Sequence, residues 1–577
     1  MTGNWRLNLI SFFFALTGIL LIGRLFYWQV LAGDELAVLA QTQQQSTIEL
    51  PARRGQIFTS DNNYLVTNKP AYFSYLIRGK STFNPDLSQK LAPILADSLS
   101  FSATPSAKIK ETEAILNERL NNDRLIWIPL SRKLALTQKT ALESLGLGDQ
   151  LFFEDESVRL YPEASMAAHL LGFVGDNSEG KELGQYGLEG YYQTELAGRP
   201  GILKQEKDAL NQPILTGDWQ QQEKKDGRDL KLNLNRGLQF LVEKKLQRAL
   251  QVYGAKAGSV AVMDPYSGAI LAMASLPGYD PGTFYRYDPQ MYLNPVIAQA
   301  FEPGSIFKIF VMASALDAGA IKPETICDIC SGPVKIDKYF INTWDNKYYP
   351  NSSMTDILVH SDNVGMVFIG QKLGLPKFLE YFKKFGFSEK TGIDLQDEAT
   401  PDPKSDKNWT YVDLATASFG QGFLATGMQL LQGVAAIANG GQLVQPRVVD
   451  KVLSSDREIN VATKVKRRII SPETAKLVTQ MMIAAAESGE AKWTNVKGYQ
   501  IAGKTGTAQV AVGGKYATNA TNASFIGFAP ADNPKFVMLV TLKDPSSSQW
   551  ASETAAPLWF SLAQDLLNHF NILPETQ

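Results

Sequence analysis

GYQIAGKTGT, residues 498–507, admits two incompatible readings. Gly498 to Thr505 match the pattern G-x-x-x-x-G-K-[ST], in which backbone N–H groups and a lysine cradle phosphates at the start of a helix. Lys504 to Thr507 match a Lys-Thr-Gly-Thr box that belongs with S-x-x-K and S-x-N in serine nucleophile sites. The flanks favour the second reading. AKWTNVK before Gly498 is no buried strand, and GTAQVAVGGKYATN after Thr505 is small, β-rich and broken by a Gly-Gly turn. VAVMD (260–264) imitates an acidic magnesium-holding strand, but it runs into a Pro-Tyr-Ser-Gly turn and lies far upstream, the wrong order.

Composition bounds the rest. A chain of 577 residues, 44% hydrophobic and 20% charged, is expected to fold as two or three globular domains. A net charge of -2 gives no polyanion-binding signal, so nucleic acid is not an expected partner. LNLISFFFALTGILLIG (7–23), with Arg24 and LFYWQVL after it, reaches the roughly 20 residues of a spanning helix if Arg24 snorkels and Tyr27 and Trp28 sit at the interface. It is expected to be a retained single-pass anchor in membrane lipid, because no small-residue cleavage site follows it directly. Arg6 and the terminal amine favour a cytoplasmic N-terminus. The bulk is then extracytoplasmic, where ATP is absent, a further count against the phosphate loop.

Residues 85–150 alternate polar helices and loops. Asn211 to Arg228 reads as a linker or hairpin. From Asp229 a strand is followed by a helix with Leu238, Leu241, Val242 and Leu246 on one stripe. GSVAVMDPYSGAILAMAS (258–275) is a β-hairpin, and SFIGFAP and KFVMLVTL are further strands around a mainly helical middle.

Each element of the serine-site set occurs twice. S-x-x-K stands at Ser178–Lys181 and Ser305–Lys308, Ser-Asp-Asn at 60–62 and 361–363, and Lys-Thr-Gly at 390–392 and 504–506. Ser305 opens a long apolar helix after Glu-Pro-Gly, which puts Lys308 on the same face one turn on. Ser361–Asn363 lies at a helix-to-helix joint, and Lys504–Thr507 in a strand-like stretch. The other copies, at Ser60, Ser178 and Lys390, read as solvated turns.

The chemistry requires these residue types. Ser305 is a poor nucleophile until a base takes its proton, and Lys308 can do so if burial and a second cation, Lys504, lower its pKa. Ser361 is expected to relay a proton to the leaving amine, and Asn363 to orient Lys308 or the substrate backbone. Lys504, with Thr505 and Thr507, is expected to hold a substrate carboxylate on an edge strand. Gly506 lets the substrate lie against that strand as an added one, and the N–H groups of Ser305 and Thr507 form the oxyanion hole. His169, His360 and His569 make no metal pattern, so neither a metal nor a cofactor is expected. Cys327-Asp-Ile-Cys330 supplies too few ligands for a closed zinc site and reads as a local disulfide or two free thiols.

These motifs, with AVMDPYSGAILAMAS, FEPGSIFK, FGQGFLATGMQLLQGVAAIANGG and SFIGFAP, resemble the penicillin-binding proteins. Arg54–Ile57, Arg159–Pro162 and Gly187–Glu189 resemble the pedestal of class B members, whose segments pack together beneath the catalytic domain, with Arg54 and Glu189 as structural charges. Phe58-Thr-Ser-Asp-Asn-Asn63 and Leu232-Asn-Leu-Asn235 depart from the family's usual sequences. The resemblance implies an α+β fold: an antiparallel sheet flanked by helices, an all-helical subdomain, a strand-rich pedestal and one transmembrane helix. Its divisions are an anchor over 1–35, a pedestal/dimerisation domain over 36–225 and a transpeptidase domain over 226–577, without the glycosyltransferase domain of class A. It implies a D,D-transpeptidase acting on peptidoglycan stems ending in D-Ala-D-Ala and acylated by β-lactams. A membrane glycosyltransferase and other division proteins are the implied partners. SDNVGMVFIGQKLG (361–374) looks closer to septal than to elongation enzymes.

Overall fold

The computed structural model describes residues 4–36, 45–78, 83, 86–100, 102, 104–122, 125–178, 180–206, 219–400, 405–494, 496–512 and 515–574. The chain forms two compact units, one of residues 1–54 with 197–227, the other of 55–196 with 228–577.

In the smaller unit, helix Trp5–Phe26 continues as a π-helical turn, Tyr27–Leu31. The combined 27-residue helix is long and apolar enough to cross a membrane, and its large apolar side chains are exposed. The Arg24 guanidinium lies 5.1 Å from the Trp28 ring centroid, an aromatic–cation grouping suited to an interface. Strands Gln45–Leu50, Gly201–Glu206 and Trp219–Gln222 form an antiparallel sheet with Gly201–Glu206 at its centre. Part of the expected linker or hairpin, Trp219–Gln222, is thus a strand, while residues 207–218 lie outside the described ones.

The larger unit holds two main sheets. A seven-stranded one runs in the order Glu458–Asn460, Val449–Leu453, Asp229–Leu232, Ile57–Phe58, Tyr64–Ile77, Trp127–Leu134, with Leu151–Leu160 also pairing Tyr64–Ile77. Leu230 pairs Ile57 in parallel on one side and Val452 antiparallel on the other. One sheet therefore runs across the position where the sequence places the start of the transpeptidase domain. The resemblance implies that the three pedestal segments meet, and they do. Buried Arg159 donates to Glu189 Oε1 at 2.7 Å and to the Gly55 carbonyl at 2.6 Å.

The second sheet is antiparallel, in the order Ile270–Leu276, Ala257–Met263, Phe536–Lys543, Lys515–Ala529, Ala502–Val512. Its strands Ala257–Met263 and Phe536–Lys543 are apolar on both faces because both are covered. Val260, Val262, Phe525 and Val540 pack with Leu238, Val242 and Leu246 of helix Arg236–Tyr253 and Trp559 of helix Ala555–His569. Ala261, Met263, Ile526 and Leu539 face the helical middle with Phe310, Met428 and Leu431. The expected hairpin over 258–275 is present, and the expected stripe is buried apart from the partly buried Leu241. Strand Ala502–Val512 is the sheet's edge, with Lys504 opposite Ile526. The Gly513-Gly514 turn lies outside the described residues.

Candidate active site

Ser305 sits, half-buried, in a 3₁₀ turn, Gly304–Phe307, that leads into helix Lys308–Asp317. The sequence predicts that Ser305 opens the helix itself. The tighter turn comes first because two glycines meet here. Gly304 (φ +59°) donates its N–H to the Gly420 carbonyl at 3.0 Å, and a Cβ on Gly420 (φ +85°) would lie 2.0 Å from the Gly304 oxygen. In a 3₁₀ turn residues three apart eclipse, so Ser305 and Lys308 still share a side. Every residue from Lys308 to Leu316 is buried, so the lysine projects from a largely apolar helix shut off from solvent.

Lys308 Nζ finds three acceptors: the Ser361 carbonyl at 2.5 Å, Ser361 Oγ at 3.3 Å and Asn363 Oδ1 at 2.8 Å. Burial first, then the Lys504 charge, brings the Lys308 ammonium down to about 7, with Glu490 and Asp362 opposing. A lysine so placed holds a substantial neutral fraction near neutrality, as a general base must. Ser361 stands between helices Met354–Val359 and Asn363–Leu373 with φ +52°, a left-handed conformation that costs a serine about 1–3 kcal/mol. Asp362 caps the second helix by accepting Val364 N–H at 2.8 Å, and burial pushes its carboxyl up. The Asn363 amide donates to the Asn342 carbonyl at 3.2 Å, which leaves its oxygen facing Lys308. The helix-to-helix joint is as the sequence reads it.

Gly506 lets the Lys504 strand lie close to the nucleophile turn: a Cβ there would meet Ile306 Cγ1 at 2.7 Å and the Pro303 carbonyl at 3.2 Å. Lys504 is buried, which lowers its pKa, and Glu490 partly offsets this. Lys504 Nζ donates to Thr505 Oγ1 at 3.0 Å, and Thr505 Oγ1 donates to Glu490 Oε2 at 2.8 Å. The Thr507 hydroxyl, half-exposed, accepts the Ala551 N–H at 3.1 Å. Trp344 and Trp550 meet edge to face at 5.1 Å, and Trp344 donates to the His360 carbonyl. The 342–350 loop and the segment after strand Phe536–Lys543 thus touch near the Ser361 joint.

The structure brings Ser305, Lys308, Ser361, Asn363 and Lys504–Thr507 to one place and leaves the duplicate motifs elsewhere. Ser60–Asn62 is a turn. Ser178 is in the turn between strands Phe173–Asp176 and Glu182–Gln185, with Glu179 outside the described residues. Lys390 is exposed as expected, but its neighbour is not a solvated turn residue: Thr391 is buried, its N–H donating to Glu398 Oε1 at 2.6 Å. Cys327 and Cys330 form a disulfide. His360 stacks on Tyr349 rather than serving Ser361. Among the described residues no cluster of three His, Cys, Asp or Glu side chains could hold a metal. Glu490 and the two tryptophans carry no motif of their own and escape a reading by motif, while Gly420 stands inside the stretch FGQGFLATG without a role that its motif would reveal.

Two family models match the chain: the penicillin-binding protein transpeptidase domain over residues 258–566 and the penicillin-binding protein dimerisation domain over 49–232. The chain is 30% identical to stage V sporulation protein D of Bacillus subtilis (strain 168), covering 100% of this chain and 87% of the relative. It is 29% identical to the probable peptidoglycan D,D-transpeptidase PenA of Neisseria gonorrhoeae, covering 100% and 94%. Among solved structures it is similar to a peptidoglycan synthetase from Bifidobacterium adolescentis, with 25% identity, 92% and 98% coverage and a TM-score of 0.73. It shares the fold of penicillin binding protein 2X from Streptococcus thermophilus, with 23% identity, 92% and 83% coverage and a TM-score of 0.71.

Proposed function

The chain belongs to the class B penicillin-binding proteins, and from that premise we propose that it is a serine D,D-transpeptidase cross-linking peptidoglycan stem peptides with Ser305 as nucleophile. The observation that carries this reading is the fully buried Lys308, held by Ser361 and Asn363 three residues after Ser305. Lys308 Nζ takes the Ser305 proton as Oγ bonds to the penultimate D-Ala carbonyl carbon. The developing oxyanion is held by the N–H groups of Ser305 and Thr507. The peptide C–N bond then breaks, the proton passes by way of Ser361 to the leaving amine, and D-Ala departs. An amine of a neighbouring stem attacks the Ser305 ester, forms the cross-link and returns the proton to Ser305. Lys504 and Thr507 grip the donor's terminal carboxylate, and β-lactams acylate Ser305 in the same pose.

The apolar helix Trp5–Leu31 supports a single-pass anchor in the cytoplasmic membrane. The short basic N-terminus then faces the cytoplasm, and the catalytic part works outside. The stretch 361–374 supports a septal role, in company with a membrane glycosyltransferase and other division proteins. The divisions of the chain at about 35 and 225 are those of anchor, pedestal and catalytic part. Incubating the full chain in detergent with a D-Ala-D-Ala stem donor and an amine acceptor tests this reading. Amine-dependent cross-linked product with released D-Ala is expected, lost in Ser305→Ala. Release of D-Ala with water as the sole acceptor would instead make the chain a carboxypeptidase.

A further inference from the structure

The single proton of the Thr505 hydroxyl points away from the role the sequence gives it. Thr505 Oγ1 accepts from Lys504 Nζ and donates to Glu490 Oε2. A hydroxyl has one O–H, so Thr505 in this arrangement cannot also donate to a substrate carboxylate. Thr507 differs: its oxygen accepts from Ala551 N–H, which keeps its own O–H for an incoming anion. Glu490 comes just after helix Pro472–Ser488, which packs on the Lys504 strand. Gly489 sits so close to the helix before Ser361 that a Cβ would lie 3.0 Å from the Val359 carbonyl. Glu490 therefore stands at the seam between the strand that recognises the anion and the joint that holds Lys308. The charged groups acting on Lys308 are Lys504, Glu490 and Asp362, Asp362 in turn facing His360; on Lys504 it is Glu490.

We propose that Glu490 is a positioning residue for carboxylate recognition: it takes the Thr505 proton and supplies the countercharge to Lys504, leaving the Lys504 ammonium and Thr507 to hold the anionic end of the donor. The inference rests on the transpeptidase reading above. Glu490→Gln keeps an acceptor for Thr505 and removes the charge. Both lysines then lose their protons at lower pH. Acylation, which needs neutral Lys308 and charged Lys504, moves as a whole toward acid.

The test measures second-order acylation by a chromogenic cephalosporin against pH, for the full chain and its variants. The E490Q-to-wild-type rate ratio is expected to fall severalfold as pH rises through about 7, where Lys308 loses its proton, and to fall further at alkaline pH as Lys504 does. E490D, which keeps the charge, should retain the wild-type profile. A profile parallel to wild type, whether lowered or unchanged, overturns the proposal. Thr507→Val should weaken acylation more than Thr505→Val, and the reverse order also overturns it. Absence of Ser305-dependent acylation in the wild type is a separate result, which removes the transpeptidase reading itself.

Discussion

Lys308 Nζ donates to the Asn363 amide oxygen at 2.8 Å, a bond from the helix that follows the Ser305 turn to the helix that begins after Ser361. It holds the ammonium in place on the side that Ser305 shares, as the proposed role of a base requires. Asn363→Ala should slow acylation by about 10²-fold, within the range a positioned base contributes. The check is the rate of covalent labelling, beside a melting curve showing an intact fold.

The pH dependence has a defined sign. The Lys308 ammonium, brought down to about 7 by burial and by Lys504, must be neutral to accept a proton. Acylation should therefore rise with pH through about 7 on its acidic limb. Lys308→Arg should abolish that limb and the activity together, since a guanidinium does not deprotonate in proteins. Stopped-flow rates across neutrality decide it.

Gly420→Ala should disable the site without touching a reacting group. Its Cβ would sit 2.0 Å from the Gly304 oxygen, at φ +85°, and the Gly304 N–H bond to its carbonyl would be displaced. A loss of about 10²-fold or more in acylation is expected, because misplacement by about 1 Å is enough to cost that much. The same labelling assay reads it.

The Arg159–Glu189 pair is buried on both sides, at 6% and 0% side-chain exposure. Glu189→Ala leaves a buried guanidinium short of its partner and should destabilise the larger unit by about 3–5 kcal/mol. Chemical denaturation measures it, and acylation below the transition should stay close to wild type.

Much of the site was legible because its chemistry is local. Ser305 and Lys308 lie three apart, Ser361–Asn363 are contiguous, and Lys504–Thr507 are contiguous. Context, apolar helix against polar loop, separates the copies that the structure gathers in one place from the duplicates. Glu490 was not legible, because its meaning comes from the end of a helix packing behind a strand 15 residues on. The seven-stranded sheet was equally hidden. Ile57 pairs Leu230, which pairs Val452, and short apolar alternation carries no register across such separations. The five-stranded sheet announced its hairpin, since Asp264-Pro-Tyr-Ser-Gly268 punctuates two apolar runs.

The central claim, that Ser305 is the nucleophile of a penicillin-sensitive acyl transfer, is tested most directly by intact-protein mass spectrometry after incubation with a β-lactam. One adduct per chain is predicted, mapped by peptide digestion to the segment containing Ser305 and absent from Ser305→Ala. An adduct that survives in Ser305→Ala, or none on the folded wild type, would contradict the account.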